Sequence, residues 1–145
     1  MHPSQGKTLD TEGLRDHFLV ETLFVPGEIN LTYSHFDRII VGGACPAGGI
    51  LALEGGKALA TDHFLDRREL GVINIGAAGS VTVDGERFPL ARRDGMYIGM
   101  GAAEVSFESD DAANPAKFYL ASAPAHHAYP TTLVGLSDAR EVKLG

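Results

Sequence analysis

The chain has 145 residues, of which 44% are hydrophobic and 21% charged, and its formal net charge is −7. This length suits one domain of ordinary size, and the composition is typical of a soluble globular protein rather than a disordered one. The negative charge argues against non-specific partners such as nucleic acid or anionic membranes. The sequence has no apolar run long enough to span a membrane, and its N-terminus lacks the features of a signal peptide.

The N-terminal part predicts one short helix followed by strands. Asp10 or Thr11 can cap a helix that runs to about His17. After it, LVETLFV and INLTYSH carry strand-like residues. In the second segment, His35 shares the apolar face, where a lone histidine is more often a hydrogen-bonded core residue than a ligand.

The middle of the chain predicts a series of short strands. ELGVINI is a nearly continuous apolar run, which indicates a strand buried on both faces. In GSVTVDGERFPL, the pair Asp84-Gly85 is a strong signal for a tight hairpin, because both residues tolerate positive φ. The regular spacing of these segments favours an all-β sandwich or barrel. The other predicted strands are RIIVGGA, GILALE, MYI, AEVSFES and AKFYLAS.

The C-terminal segment has a different character. From His126 onward, HHAYPTTLVGLSDAREVKLG loses the strand pattern. We therefore predict a barrel over residues 1–125 and a linker or tail over 126–145.

The glycine-rich segments do not predict phosphate binding. GGACPAGG lacks the Lys-Ser/Thr pair of a P-loop, and GVINIGAAG does not follow a dinucleotide fingerprint. Cys45 is the single cysteine, so it cannot form an internal disulfide, which is typical of a reducing cytoplasm. No histidine lies near it in sequence, and we interpret it as a structural thiol in a turn rather than a nucleophile.

Three acidic residues are open to two interpretations, a metal site or a solvated surface. Asp62, Glu69 and Glu104 would offer hard oxygen ligands, which suit magnesium or manganese better than zinc. The alternative is a barrel without a metal, in which Glu104 lies on a solvated face with Ser106 and Glu108. The adjacent pair His126-His127 is a weaker candidate, because neighbouring residues of a strand project to different sides.

Three arginine-rich clusters are the other notable feature. They are Asp37-Arg38, Arg67-Arg68-Glu69 and Arg92-Arg93-Asp94. Arginine can bind a carboxylate through two parallel N–H bonds, so the clusters could orient an acidic sugar. They could equally pair with the neighbouring acids and hold strands or subunits together, and we favour that structural interpretation. Our candidate binding residues are Arg68 and Glu69, followed by Arg38 and Asp37.

Four long segments carry a resemblance to a known family. YSHFDRIIVGG, FLDRRELGVINIGAAGSVTVDG, RRDGMYIGMGAAEVSF and PAKFYLASAPAHHAYPT occur in this order. The chain resembles the 5-keto-4-deoxyuronate isomerase family, also called 4-deoxy-L-threo-5-hexosulose-uronate ketol-isomerase. The match runs almost from end to end, beginning near KTLDTEGLRDHFLVE.

The resemblance implies a cupin-type β-barrel, which is a double-stranded β-helix or jelly roll, with a short N-terminal helix. Family members are cytoplasmic two-cupin hexamers of about double this length that act in pectin and oligogalacturonide degradation. They isomerise a linear keto-uronate to 3-deoxy-D-glycero-2,5-hexodiulosonate by moving a carbonyl from C1 to C2. A zinc ion in the second cupin is expected to polarise substrate oxygens, and a positioned base moves the proton.

This sequence departs from the family pattern at the metal site. The resemblance places the zinc ligands in a second cupin beyond Gly145, so no ligand is carried over and no metal is expected in this chain. We therefore expect a metal-free N-terminal half with negligible isomerase activity alone, which could be a fragment, a separately encoded half or a truncated chain. Two alternatives stay open: a non-catalytic assembly module that packs on a second cupin or another copy, and an acid-sugar binding domain that uses Arg38, Arg68 or Arg93.

Overall fold

A computed structural model describes residues 6–56 and 59–144 of the chain. The predicted helix is confirmed as α1, Thr11–Phe18. Asp10 is its N-cap, and the Oδ1 atom of Asp10 accepts a hydrogen bond from the Gly13 N–H at 2.8 Å.

The segment that follows α1 forms no strand, so the strand predicted for LVETLFV is wrong. Both edges of the nearest strand, Ile40–Cys45, are already occupied by other strands. The segment instead crosses the face of that strand at Gly43, where an added Cβ would lie 2.5 Å from the Leu23 carbonyl oxygen. Tertiary packing therefore overrides the local β propensity of these residues.

The remaining elements are ten strands and one short 3₁₀ helix within the described residues. The strands are β1 Glu28–Tyr33, β2 Ile40–Cys45, β3 Leu51–Leu53, β4 Arg68–Asn74, β5 Gly79–Val83, β6 Glu86–Leu90, β7 Gly95–Ile98, β8 Val105–Ser109, β9 Phe118–Pro124 and β10 Thr132–Val134, and the 3₁₀ helix is Leu136–Asp138.

The strands form two antiparallel sheets. The first has the order β1-β2-β9-β4-β7-β10, and the second has the order β3-β8-β5-β6. The four strands β2-β9-β4-β7 and the four strands β3-β8-β5-β6 follow the eight-strand order of a jelly roll, the fold class to which cupins belong. The predicted all-β barrel with a short N-terminal helix is confirmed.

One hydrophobic core joins the inner faces of the two sheets. The ring of Phe107 on β8 lies 5.4 Å from the ring of Phe118 on β9, and both residues are fully buried. Burial of such apolar surface is the main force that holds the sheets together.

The hairpin between β5 and β6 forms as predicted. Asp84 and Gly85 have φ values of 48° and 86°, which are the left-handed conformations that a tight hairpin turn requires. The Asp84 carboxylate also accepts backbone N–H bonds from Ala103 and Glu104.

Strand β4 is buried on one face only, whereas its sequence predicts burial on both faces. Leu70 and Val72 are buried, but Ile73 on the opposite face has 47% of its surface exposed. Side chains alternate between the two faces of a strand, and only one face of β4 packs on the core. The prediction of burial on both faces is wrong for the described chain.

Two single residues also differ in their placement. His35 is exposed and makes an edge-to-face contact with Tyr33, so the predicted core position is wrong. The turn that follows β1 carries His35 away from the sheet. Cys45 is a buried free thiol at the end of β2, in line with a structural role, although it lies in a strand rather than a turn.

The C-terminal segment contains more structure than its sequence predicts. Thr132–Val134 forms β10, which pairs with β7. These three residues gain order from the edge of an existing sheet rather than from their own pattern. The boundary at residue 126 stays a prediction. No helix in the described part of the chain has the length and hydrophobicity needed to span a bilayer.

Candidate functional site

Three arginines meet at one end of the six-stranded sheet, where β4 begins and β9 ends. Arg38, Arg67 and Arg68 line a cavity of about 380 Å³ together with His126. We call this cavity the arginine cleft; its other walls include Tyr33, Leu59, Thr61 and Phe64.

Arg68 forms the floor of the arginine cleft and is 7% exposed. Its Nε atom donates to the Ser122 Oγ atom at 3.0 Å, and its Nη2 atom donates to the Ser122 carbonyl oxygen at 3.0 Å. Nη2 also donates to the carbonyl oxygen of Arg38. Burial lowers the pKa of Arg68, although the Tyr33 hydroxyl opposes that shift.

The contact between Arg68 and Arg38 holds a turn in an unusual conformation. Asp37 and Arg38 have φ values of 50° and 54°, a left-handed region that costs free energy for a residue such as arginine. The hydrogen bond from Arg68 to the Arg38 carbonyl holds this turn against the end of the sheet.

No arginine of the cleft forms an ion pair within the described chain, although Arg67 also borders a neighbouring cavity that Asp62 and Asp66 line. No carboxylate is among the residues that line the arginine cleft. The ion pairs between described residues are Arg15–Glu21, His63–Asp66 and Arg87–Asp110. No ion pair between a clustered arginine and its neighbouring acid forms among the described residues; Arg68 holds strands together through carbonyl and hydroxyl groups, and pairing with another subunit stays a prediction.

Glu69 does not belong to the arginine cleft. It alternates with Arg68 along β4, so its side chain lies on the outer face of the sheet. There its Oε2 atom accepts a hydrogen bond from the Tyr97 hydroxyl at 2.8 Å. Burial, together with this contact to Glu69, raises the pKa of Tyr97 to about 12.

The other predicted binding residues, Asp37 and Arg93, lie outside the arginine cleft. Asp37 lies in the exposed turn beside Arg38 but is not among the cleft residues. Arg93 lies at the opposite end of β4, where its N–H donates to the Asn74 carbonyl oxygen. Only Arg38 and Arg68 among the predicted arginines therefore share one site, and the binding roles of these residues stay predictions.

The proposed oxygen-ligand site is not assembled. Asp62 and Glu104 line one cavity of about 450 Å³ together with Glu54 and His63. Glu69 lies elsewhere, on the outer face of the six-stranded sheet. The described residues bring no three His, Cys, Asp or Glu side chains into a group that could hold a metal ion. Asp62, Glu69 and Glu104 therefore do not form a zinc or magnesium centre in this structure. Glu104 lies on the exposed surface.

Sequence reasoning missed several residues of the arginine cleft. Arg67 belongs to a predicted cluster but not to the candidate binding residues, and the sequence makes His126 a candidate only as a metal ligand. Thr61 and Phe64 come from a loop that is remote in sequence from Arg38. The available signal is that His126 follows a predicted strand by four residues, and the structure places it just beyond β9, at the sheet end where Arg68 begins β4.

Comparison with known proteins identifies similar chains. A family model described as the KduI/IolB family matches residues 18–145. A protein from Halalkalibacterium halodurans is 52% identical over 143 residues, which cover 99% of this chain and 52% of that protein. A protein from Escherichia coli is 53% identical over 147 residues and is covered to 53%. Both carry the name 4-deoxy-L-threo-5-hexosulose-uronate ketol-isomerase.

Two solved structures show distant similarity to this chain. A cupin protein from Bacteroides fragilis has 16% identity and a TM-score of 0.44, over 86% of this chain and 97% of that one. The Clostridium difficile EutQ protein has 13% identity and a TM-score of 0.46, over 67% of this chain and 61% of that one. Similarity at this level carries no functional argument.

The chain spans about half the length of the curated relatives that it matches. A family model that covers most of the chain, together with relatives of about 50% identity along its whole length, supports one assignment. The protein belongs to the KduI/IolB family.

Proposed function

We propose that this chain is one barrel of a ketol-isomerase that acts on 4-deoxy-L-threo-5-hexosulose uronate in the cytoplasmic breakdown of pectin-derived uronates. The observation that carries the proposal is 49–53% identity along the whole chain to relatives of that name. The reaction moves a carbonyl from C1 to C2 and yields 3-deoxy-D-glycero-2,5-hexodiulosonate.

In this proposal, the chain does not hold the catalytic metal. Zinc would supply Lewis-acid polarisation of substrate oxygens in the longer family proteins. The described residues of this chain bring no suitable donor set together, so we assign zinc to the half of the relatives that lies outside the match. The chain would contribute its folded barrel to a larger assembly, for which we propose the hexamer implied by the family resemblance.

A chimera tests this division of labour. The chain would replace the matching half of the Escherichia coli relative, and turnover of the keto-uronate would be compared with that of the 145-residue chain alone, both with zinc added. We expect an active chimera and, for the chain alone, activity lower by at least about a hundredfold, since removing catalytic groups costs several powers of ten. The Escherichia coli protein without its matching half is the control.

Either of two results would contradict the proposal. One is substantial turnover by the 145-residue chain alone. The other is a folded chimera, with native-like circular dichroism, that has no activity above that of the control.

A second candidate function, an assembly module, is supported by the outer face of the six-stranded sheet. β4 lies in the middle of this sheet, yet its outer face exposes Ile73 and Gly71. Ile39 is also exposed, and it lines a shallow depression of about 190 Å³ with Ala121 and Ala123. We propose that the unmatched half of the longer family chain covers this face, because small and apolar residues permit close packing between partners.

Substitution of Ile73 tests this surface. In the active chimera, Ile73→Glu should uncouple the two halves and change one cooperative thermal transition into two, because a buried unpaired charge is costly. Ile50→Glu is the matched control, since Ile50 is exposed but lies in the loop before β3. Identical melting curves for the two variants would rule out docking on this face.

A further inference from the structure

We propose that the arginine cleft is a binding site for the carboxylate of a small organic acid. The inference does not depend on the isomerase activity proposed above, because neither turnover nor zinc is needed to measure binding. Its starting point is charge: the chain has a net charge of −7, yet the cleft gathers Arg38, Arg67 and Arg68 without a lining carboxylate. Like charges held together in a partly buried cavity favour the arrival of an anion.

The hydrogen bonds of Arg68 leave part of its guanidinium group free. A guanidinium group has five N–H donors in a rigid plane. The donors on Nε and Nη2 reach Ser122 and Arg38, whereas Nη1 donates to none of the described residues. Nη1 of Arg68 can therefore donate to one oxygen of a bound carboxylate. The side chains of Arg38 and Arg67 donate to none of the described residues, so each can offer the planar pair of donors that matches both carboxylate oxygens.

The position of Arg68 is also set before a ligand arrives. Its contacts to Ser122 fix the guanidinium plane against β9, while the Ser122 hydroxyl in turn donates to the Glu69 carbonyl oxygen at 2.7 Å. A preorganised donor loses little side-chain entropy when it binds, so less of the interaction energy is cancelled.

The rest of the cleft suits the carbon skeleton of an acid. Phe64 is 3% exposed and lines the cleft together with Tyr33 and Leu59. The Oγ1 atom of Thr61, in the same wall, is buried and has no hydrogen-bond partner among the described residues. A volume of about 380 Å³ lies within the range of small-molecule sites, which combine apolar walls with a few placed polar groups.

These features favour a carboxylate over a phosphate. The described walls of the cleft contain no helix N-terminus and no glycine-rich loop, the two backbone devices that commonly hold phosphate. The donors are planar guanidinium groups next to aromatic and aliphatic side chains. A sugar acid or another hydroxylated acid would place its carboxylate between Arg38 and Arg67, with one oxygen toward Nη1 of Arg68, and its carbon chain against Phe64.

The test compares three probes on the 145-residue chain at low ionic strength. Galacturonate, galactose and inorganic phosphate would be titrated while backbone amide shifts are followed by NMR. Galacturonate and galactose differ at C6, where one has a carboxylate and the other a hydroxymethyl group. We expect galacturonate to bind at least about tenfold more tightly than either other probe, with the largest shifts at residues 38, 61, 68 and 126.

Matched double variants locate the site. Arg38→Gln with Arg67→Gln removes two cleft cations and should weaken galacturonate binding by at least about tenfold. Arg92→Gln with Arg93→Gln makes the same charge change at the far end of β4, and its affinity should stay within about twofold. Both pairs are exposed, and each contains one arginine with positive φ.

Three outcomes would overturn the proposal. They are equal affinities for galacturonate and galactose, tighter binding of phosphate than of galacturonate, and equal weakening in the two double variants. Circular dichroism of each variant separates loss of binding from loss of fold.

Discussion

The two ends of β4 each bury a polar side chain, but they use it differently. Asn74 at one end is completely buried, and Arg68 at the other is nearly so. The Asn74 amide is fully engaged by backbone groups: its Nδ2 atom donates to the carbonyl oxygens of Ala77 and Leu90, and its Oδ1 atom accepts from the N–H groups of Gly76 and Lys117.

The difference lies in charge and in unused donors. Asn74 is neutral, and its hydrogen bonds form a closed set that joins the loop after β4 to the end of β6 and to the residue before β9. Arg68 carries a charge, has no carboxylate beside it in the described chain, and opens onto a cavity. A satisfied neutral group in a closed environment indicates a structural role, whereas a cation with free donors next to a cavity indicates a site.

The largest expected effect on stability is at Asn74, the end of β4 whose polar side chain has all its hydrogen bonds made. Asn74→Ala removes four hydrogen bonds and leaves buried carbonyl and N–H groups without partners, so the free energy of unfolding should fall by about 4 kcal/mol. Urea unfolding measures the change. Asn114→Ala, in an exposed loop, is the matched control and should change stability by less than about 0.5 kcal/mol. If Asn74→Ala lowered the free energy of unfolding by less than about 1 kcal/mol, the hydrogen bonds of Asn74 would not contribute substantially to stability.

Arg68→Met should have a smaller effect on stability and a larger effect on binding. The methionine keeps the apolar stem, and water from the cleft can reach the freed acceptors, so we expect a loss of about 2 kcal/mol in urea unfolding. Galacturonate binding should fall by at least about tenfold, because the positioned guanidinium group is lost.

Arg68→Lys sharpens the same comparison. Lysine retains the charge but not the rigid guanidinium group with its free Nη1 donors, so the affinity of Arg68→Lys for galacturonate should lie between those of the wild type and Arg68→Met. If Arg68→Met destabilised the chain as much as Asn74→Ala and left galacturonate affinity unchanged, the two ends of β4 would have the same structural role.

The smallest effect is expected on the outer face, at Tyr97. Its folded-state pKa is raised from 10.0 to about 12, so the folded chain holds this proton more tightly than the unfolded chain. This contribution to stability is present below about pH 10 and is lost as the pH rises toward about 12. Tyrosinate absorbance should therefore show one late titration, which Tyr97→Phe removes.

Tyr119→Phe serves as the control for that titration. It changes the number of tyrosines by the same amount but leaves the contact between Tyr97 and Glu69 intact. Persistence of the late titration in Tyr97→Phe would place it at another tyrosine.

Much of the fold was predictable because it depends on local pattern. The hairpin at Asp84-Gly85 requires two residues that tolerate positive φ, and the helix at Thr11 requires a capping acid before it. Both signals lie within a few neighbouring residues. The burial of β4 was mispredicted because an apolar run does not reveal which face meets the core.

The site was less predictable, because its parts are distant in sequence. Arg38 and Arg68 were identified as candidates, but Glu69 and Asp37 were grouped with them only because they are adjacent in the chain. Alternation along β4 sends Glu69 to the outer face, and the 37–38 turn leaves Asp37 outside the cleft. Adjacency in sequence therefore grouped residues that the strand geometry separates.

The amino-acid sequence by itself determined the all-β class, the N-terminal helix, the β5–β6 hairpin and the family resemblance, since these depend on short-range propensity and on matched segments. Only the tertiary structure decided that Arg38, Arg67, Arg68 and His126 share a cavity and that Glu69 does not. The physical reason is that antiparallel pairing brings the start of β4 beside the end of β9, and this register follows from the packing of the whole core.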